Sequence, residues 1–254
     1  MAKCLILCGG ANSRWNGHLG IARKHLIEVE GERLLQRCLR QVRSLGVRPI
    51  VVLNAGDIGL YCRHLSGDFE IMEIDPQPSG ATEAWKSLSS QSAWHASCPT
   101  IVLLGDVWFS ELAIGRIFAP GPAAWTVFGR AGASALTGHP HGEIFAQRFA
   151  RSERHLEQLL KLDQLYRAGR CSRSAGWAHY HLMIGADPSM QCAGRNFIQI
   201  DDFTDDFDTP RDYEAWHAGR RRWRALHGAG VEPAMCGPSP NFGRPRATAV
   251  SVAS

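Results

Sequence analysis

The sequence has no Cys-x-x-Cys pair, no apolar run long enough to span a bilayer, and no block of one charge sign large enough to dominate a surface. Each absence removes a class of function. The eight cysteines (Cys4, Cys8, Cys38, Cys62, Cys98, Cys171, Cys192 and Cys236) stand apart, several inside apolar runs where a thiol packs as a small hydrophobe, so a zinc site is not expected. With no signal peptide and no spanning segment, a reducing, cytoplasmic setting is expected and membrane association is not. The formal net charge of +4 is partly concentrated in Arg220, Arg221, Arg222 and Arg224, which leaves the body near neutral and argues against a dedicated nucleic-acid binder. Internal repeats are lacking too. So are the Gly-Lys-Ser/Thr ending of a Walker A loop and the G-x-G-x-x-G of a dinucleotide fingerprint.

What is present is a chain of 254 residues, 44% hydrophobic and 20% charged, long enough for one large α/β domain or two small ones; one is the simpler reading. Lys3 to Leu7 reads as a buried strand emptying into a glycine loop at Gly9 and Gly10. From Glu32 to Leu45 the apolar residues keep helical spacing, and Gly46 stands where a helix C-cap belongs. Further strands are expected at Pro49–Leu53, Phe69–Ile74, Thr100–Leu104, 123–128, 143–149 and Arg195–Ile200. A helix is expected at Ser152–Ala168 and another from Pro210 to about Arg222. Strands alternating with helices imply a doubly wound, mostly parallel (mixed) sheet with helices on both faces, a Rossmann-like layout that binds ligands beyond the carboxyl ends of its strands. Residues 1–227 are read as this domain, and 228–254, rich in Gly, Pro, Ala and Ser, as a flexible tail.

The first loop, Gly9-Gly10-Ala11-Asn12-Ser13-Arg14-Trp15, is followed by a second basic element, Arg23-Lys24-His25-Leu26. Glycines after a buried strand let the backbone approach a ligand and turn its N–H groups toward phosphate oxygens, which Arg14 and Lys24 would neutralise. A bare Gly-Gly with two basic residues is also what an ordinary surface turn looks like. Lys24 is read here as a loop lysine that contributes little to the core. Gln77-Pro78-Ser79-Gly80-Ala81-Thr82-Glu83-Ala84, taken alone, is a proline–glycine turn opening a helix. Asp106 stands at the end of a buried strand, where a lone aspartate is more often a turn or cap residue. In Phe203-Thr204-Asp205-Asp206-Phe207-Asp208-Thr209-Pro210-Arg211-Asp212, an extended backbone would put Asp206 and Asp208 on one face, while Asp208 or Thr209 could cap the helix at Pro210.

In this order the four elements resemble the signature of the MobA-like and sugar-1-phosphate nucleotidyltransferases across about residues 3–216. The likeness rests on the strand, Gly-Gly, Arg and Lys-x-Leu of the first loop, the Gln77–Ala84 segment, the strand-end Asp106 and the late Asp-x-Asp-Thr-Pro. It implies that Gly9, Gly10, Ala11, Asn12 and Ser13 bind the triphosphate and that Gln77 and Gly80 meet the nucleobase. It also implies that Asp106, Asp208 and Asp206 supply oxygen ligands to Mg2+, which takes few ligands from protein. The chain departs from the family pattern at Arg23, where proline is usual, at Trp15, where methionine is common, and in the loop between Arg14 and Lys24.

The implied reaction transfers a nucleoside monophosphate from a nucleoside triphosphate to a phosphorylated small-molecule acceptor, with release of pyrophosphate. Homo-oligomerisation is compatible with the sequence. A glycosyltransferase using a nucleotide sugar is the first rival, since Asp206-Phe207-Asp208 fits D-x-D; a non-catalytic subunit that keeps the fold is the second. His139 and His141, and His179 and His181, are read as surface or packing residues on loops or strand faces.

Overall fold

The structure is a computed structural model that describes residues 2–9, 14–15, 17–20, 22–75, 83–121, 124–150, 153–171, 175–190 and 192–227. Gly10, Ala11, Asn12, Ser13, Gln77, Gly80 and the segment from residue 228 onward, all singled out above, lie outside the described residues.

In chain order the elements are β1 (Lys3–Leu7), β2 (Glu28–Val29), β3 (Glu32–Arg33), α1 (Leu34–Ser44), β4 (Pro49–Asn54), α2 (Ile58–Cys62), β5 (Glu70–Ile74), α3 (Glu83–Ser89), β6 (Thr100–Leu104) and β7 (Val107–Trp108). There follow α4 (Glu111–Phe118), β8 (Trp125–Arg130), β9 (Glu143–Phe149), α5 (Glu153–Arg167), α6 (Ala175–Ile184), β10 (Phe197–Gln199), β11 (Asp205–Asp206) and α7 (Pro210–His227). Seven strands form one sheet in the order β10-β8-β9-β6-β1-β4-β5. Among the described strands of this sheet only β9 runs against its neighbours, pairing antiparallel with both β6 and β8. The sheet is therefore mixed and mostly parallel, as expected.

Side-chain alternation along the central strands sends Cys4, Ile6, Val51, Leu53, Ile101 and Leu103 into one core with α1 and α4. Leu5, Leu7, Ile50, Val52 and Val102 point the other way, into a second core with α5 and α6. Because both faces are covered, these strands are apolar throughout their middles, with polar residues only at their ends, Lys3, Asn54 and Thr100. Helix α1 ends where expected, with Gly46 at φ 74°, a left-handed cap that glycine adopts without strain.

Two expectations are corrected. Helix α7 runs to His227 rather than about Arg222, because Trp216 and Gly219 are buried and Arg220 and Arg224 both pair with Glu30, giving the Arg-rich end a partner. His179 and His181 lie on α6, not on a loop or strand face: α6 is apolar all round, with Trp177, Ala178, Tyr180, Leu182 and Met183 buried beside them, so it shows no helical stripe. Burial keeps the pKa of both histidines below the ordinary value. They pack on aromatic rings, His179 on Trp125 and His181 on Trp177. No group of three or more His, Cys, Asp or Glu among the described residues is arranged to hold a metal.

Candidate active site

The site is built at the carboxyl ends of β1, β4 and β6, and what assembles it is a ladder of two residues per strand. Immediately after Asp106, β7 pairs antiparallel with β11, setting Val107 opposite Asp206 and Trp108 opposite Asp205. The Phe207 amide donates to the Asp106 carbonyl at 3.0 Å. A third core cements this corner: Trp15, Ile27, Val29, Leu34, Trp108, Phe203, Phe207 and Trp216. Trp15 belongs to it outright, buried, with its indole N–H donating to the Phe207 carbonyl at 3.0 Å. The tryptophan that replaces the family's usual methionine thus ties the first loop to the acidic motif.

Lys24 lies in a short 3-10 turn, Lys24–Leu26, with all three side chains buried. This corrects its reading as a loop lysine outside the core. Its ammonium sits 2.5 Å from an Asp106 oxygen and 3.0 Å from an Asp208 oxygen. One nitrogen therefore bridges two carboxylates about a hundred residues apart in sequence. The other oxygen of Asp208 accepts from Arg14 at 2.6 Å. Burial on its own would depress the Lys24 pKa, but Asp106 and Asp208 outweigh it and hold the ammonium above its ordinary value. Burial would likewise raise Asp106, yet the Lys24 charge wins and keeps that carboxyl well below the usual carboxylate range.

The three aspartates of the late motif have separate duties. Asp205 is buried and fully engaged, accepting from Arg130 at 2.7 Å, Ser134 at 2.7 Å and Thr137 at 3.1 Å. No cation among the described residues pairs with Asp206: burial, then the charges of Glu143, Asp205, Asp208 and Asp106, push its pKa well above the ordinary value. Asp208 faces Lys24 and Arg14. It is not the helix cap, because Thr209 and Asp212 form a reciprocal capping box, the Thr209 amide donating to Asp212 at 2.7 Å and the Asp212 amide to the Thr209 hydroxyl at 3.3 Å.

Space is tight at two glycines nearby, against a side-chain end at Gly9 and against backbone at Gly105. A Cβ on Gly9 would stand 2.9 Å from the Asn54 Oδ1, and one on Gly105 would stand 2.9 Å from the Leu7 carbonyl. Arg23, in place of the family's proline, makes a two-point contact with Asp57 at 2.7 and 3.1 Å. It anchors the Lys24 turn to the start of α2.

Two residues escaped the sequence reading. His25 is buried with its Nδ1 2.8 Å from the Tyr61 hydroxyl, and burial drives its pKa down to about 3, so it is neutral. Lys86 on α3 is buried, and its charge is felt at Asp106, His25 and Cys8. A lysine six positions beyond Gly80, on the helix that the Gln77 segment opens, was the available signal.

Lys24, Asp106, Asp206, Asp208 and Arg14 are therefore brought together. The arrangement gathers charge at the strand ends: two carboxylates converge on the Lys24 ammonium, and Asp206 lies close enough to feel both.

The model of the MobA-like NTP transferase domain matches residues 4–174. Among solved structures, the chain resembles the inositol-1-phosphate CTP transferase of T. maritima, with a TM-score of 0.55, 14% identity and coverage of 87% of this chain and 96% of that one. It resembles the CTP:phosphocholine cytidylyltransferase of Streptococcus pneumoniae, with a TM-score of 0.54, 12% identity and coverage of 89% and 99%. A UDP-glucose pyrophosphorylase complexed with UDP-glucose gives 0.55, 10% identity and coverage of 87% and 100%. No curated protein sequence gives a significant match.

Proposed function

Because the chain belongs to the MobA-like NTP transferase domain family and is a nucleotidyltransferase, we propose that it joins the nucleoside monophosphate of a triphosphate to a phosphorylated small molecule. An oxygen of the acceptor phosphate attacks the α-phosphorus, the bond from that phosphorus to the bridging oxygen breaks, and pyrophosphate leaves. The acceptor is already an anion, so no general base is needed, and catalysis rests on holding two negative reactants together.

The observation that carries this reading is the Lys24 ammonium held between Asp106 and Asp208. It keeps a positive charge poised at the strand ends, where charge develops on the α-phosphate. Arg14 is well exposed, so its pair with Asp208 is worth only ~0–1 kcal/mol and exchanges readily for the β- and γ-phosphates. The amides from Gly9 to Ser13 complete that cradle, and Gln77 and Gly80 meet the nucleobase. Asp106 and Asp208 would hold a magnesium ion, with Asp206 adjoining. When bound, the ion neutralises charge on the triphosphate and relieves the repulsion that Asp206 meets from its neighbours.

Residues 1–227 are the proposed catalytic domain, with the setting cytoplasmic and the partners small phosphorylated molecules rather than nucleic acid or lipid. No helix among the described residues is long and apolar enough to cross a membrane. A screen of the four common triphosphates against phosphorylated sugars, alcohols and cofactors, with pyrophosphate detection, tests the proposal. Pyrophosphate together with a diphosphate-linked product supports it. Turnover of a nucleotide sugar instead points to glycosyl transfer.

A further inference from the structure

At the edge of the sheet opposite Asp106, the start of β6 and the end of β9 line a cleft of about 520 Å3, a size that holds a small organic molecule. Strand β6 runs from this cleft to Asp106, so cleft and nucleotide site lie at opposite ends of one strand. The walls, among them Ile101, Phe118, Ala124 and Phe149, are apolar, and Arg148 is the only charged residue in them among the described residues.

Arg148 is only 7% exposed. Its Nη1 donates to the carbonyl oxygens of Ile117 and Ala119, at the C-terminal end of α4, where the helix dipole favours a cation. That accounts for one nitrogen. No hydrogen bond to a described residue engages Nε or Nη2, and neither nitrogen is among the sealed, partnerless atoms; Nη2 lies against Gly121, which lines the cleft with Arg148. No carboxylate among the described residues lies within ion-pairing distance, and burial without an acidic neighbour draws the guanidinium below its ordinary pKa.

A buried guanidinium with a free two-donor edge and no counter-charge matches a carboxylate, which it binds through two parallel hydrogen bonds. The apolar walls match an apolar body. A phosphate dianion would bring a second charge that no other described residue of the cleft compensates. We propose that this cleft is a second ligand site, for a small organic monocarboxylate with an apolar body, held by the Nε and Nη2 edge of Arg148.

Calorimetric titration of the full chain with sodium benzoate tests this, with inorganic phosphate as a second titrant. Saturable one-to-one binding of benzoate is expected. Arg148→Met should weaken it at least about tenfold, and Ala124→Phe, which fills the cleft but leaves Arg148 and its carbonyl partners in place, should do the same. Triphosphate binding should be unchanged in both variants. If Arg148→Met does not fold, Ala124→Phe decides alone. The proposal is overturned if the wild-type protein shows no saturation, if a folded variant binds benzoate like wild type, or if phosphate binds as tightly as benzoate.

Discussion

The Phe207 amide donates to the Asp106 carbonyl at 3.0 Å, closing the short β7–β11 ladder on its active-site side. Through this one bond the end of β6 and the start of the last helix share a backbone frame. Asp106 and Asp208 then reach the same ammonium without either side chain having to search for it.

Lys24→Ala is expected to lower turnover by more than about tenfold, because charge building on the α-phosphate loses its nearest cation. Unlike a surface lysine, it also supports the fold: without it Asp106 and Asp208 face each other, and stability at neutral pH should fall by about 1–3 kcal/mol. Asp106 has a folded pKa below its unfolded value, so its stabilising share is present above about pH 4 and is lost as pH falls through the folded value. The melting-temperature gap between wild type and Lys24→Ala should therefore narrow on acidification below about pH 4. A gap that holds constant with pH would contradict the pairing.

Asp206 behaves in the opposite sense. Its folded pKa is raised, so it weakens the fold at pH values above the unfolded carboxylate range, and the penalty grows until pH passes the folded value. Asp206→Asn should raise the melting temperature at pH 8 in metal-free buffer and change it little near pH 4. Equal stabilisation at both pH values would show that charge is not the cause.

Asp205 should prove structural. Asp205→Ala strips a buried Arg130 of its carboxylate and frees Ser134 and Thr137, and breaking such a buried pair costs about 3–5 kcal/mol. Chemical denaturation measures this directly, and a loss below about 1 kcal/mol would mean that Arg130 is solvated instead.

The parallel core was legible because a strand buried on both faces is apolar throughout its middle, and β1, β4 and β6 fell within one residue of where the sequence placed them. Lys24, Asp106 and Asp208, which the structure brings together, were singled out through the order of their motifs along the chain. Helix α6 was not, because Ala175 to Ile184 is buried all round and carries no periodic stripe. Nor were β7 and β11, since two-residue strands leave no pattern. The separate fates of Asp205, Asp206 and Asp208 depended on Arg130 and Lys24, residues far away in sequence.

Deletion of residues 228–254 is expected to leave stability and turnover intact, since the segment lacks the apolar periodicity needed to dock on a core. A lower melting temperature in the truncated protein would assign the tail a structural part.

The most direct test of the account is pyrophosphate release by wild type, Asp106→Asn and Asp208→Asn, with magnesium and the triphosphate–acceptor pair the screen identifies. Wild type should release one pyrophosphate per linked product, and each asparagine variant should lose activity by at least about a hundredfold while remaining folded. Wild-type rates in either variant would contradict the account, because the two carboxylates that converge on Lys24 would then have no part in the reaction.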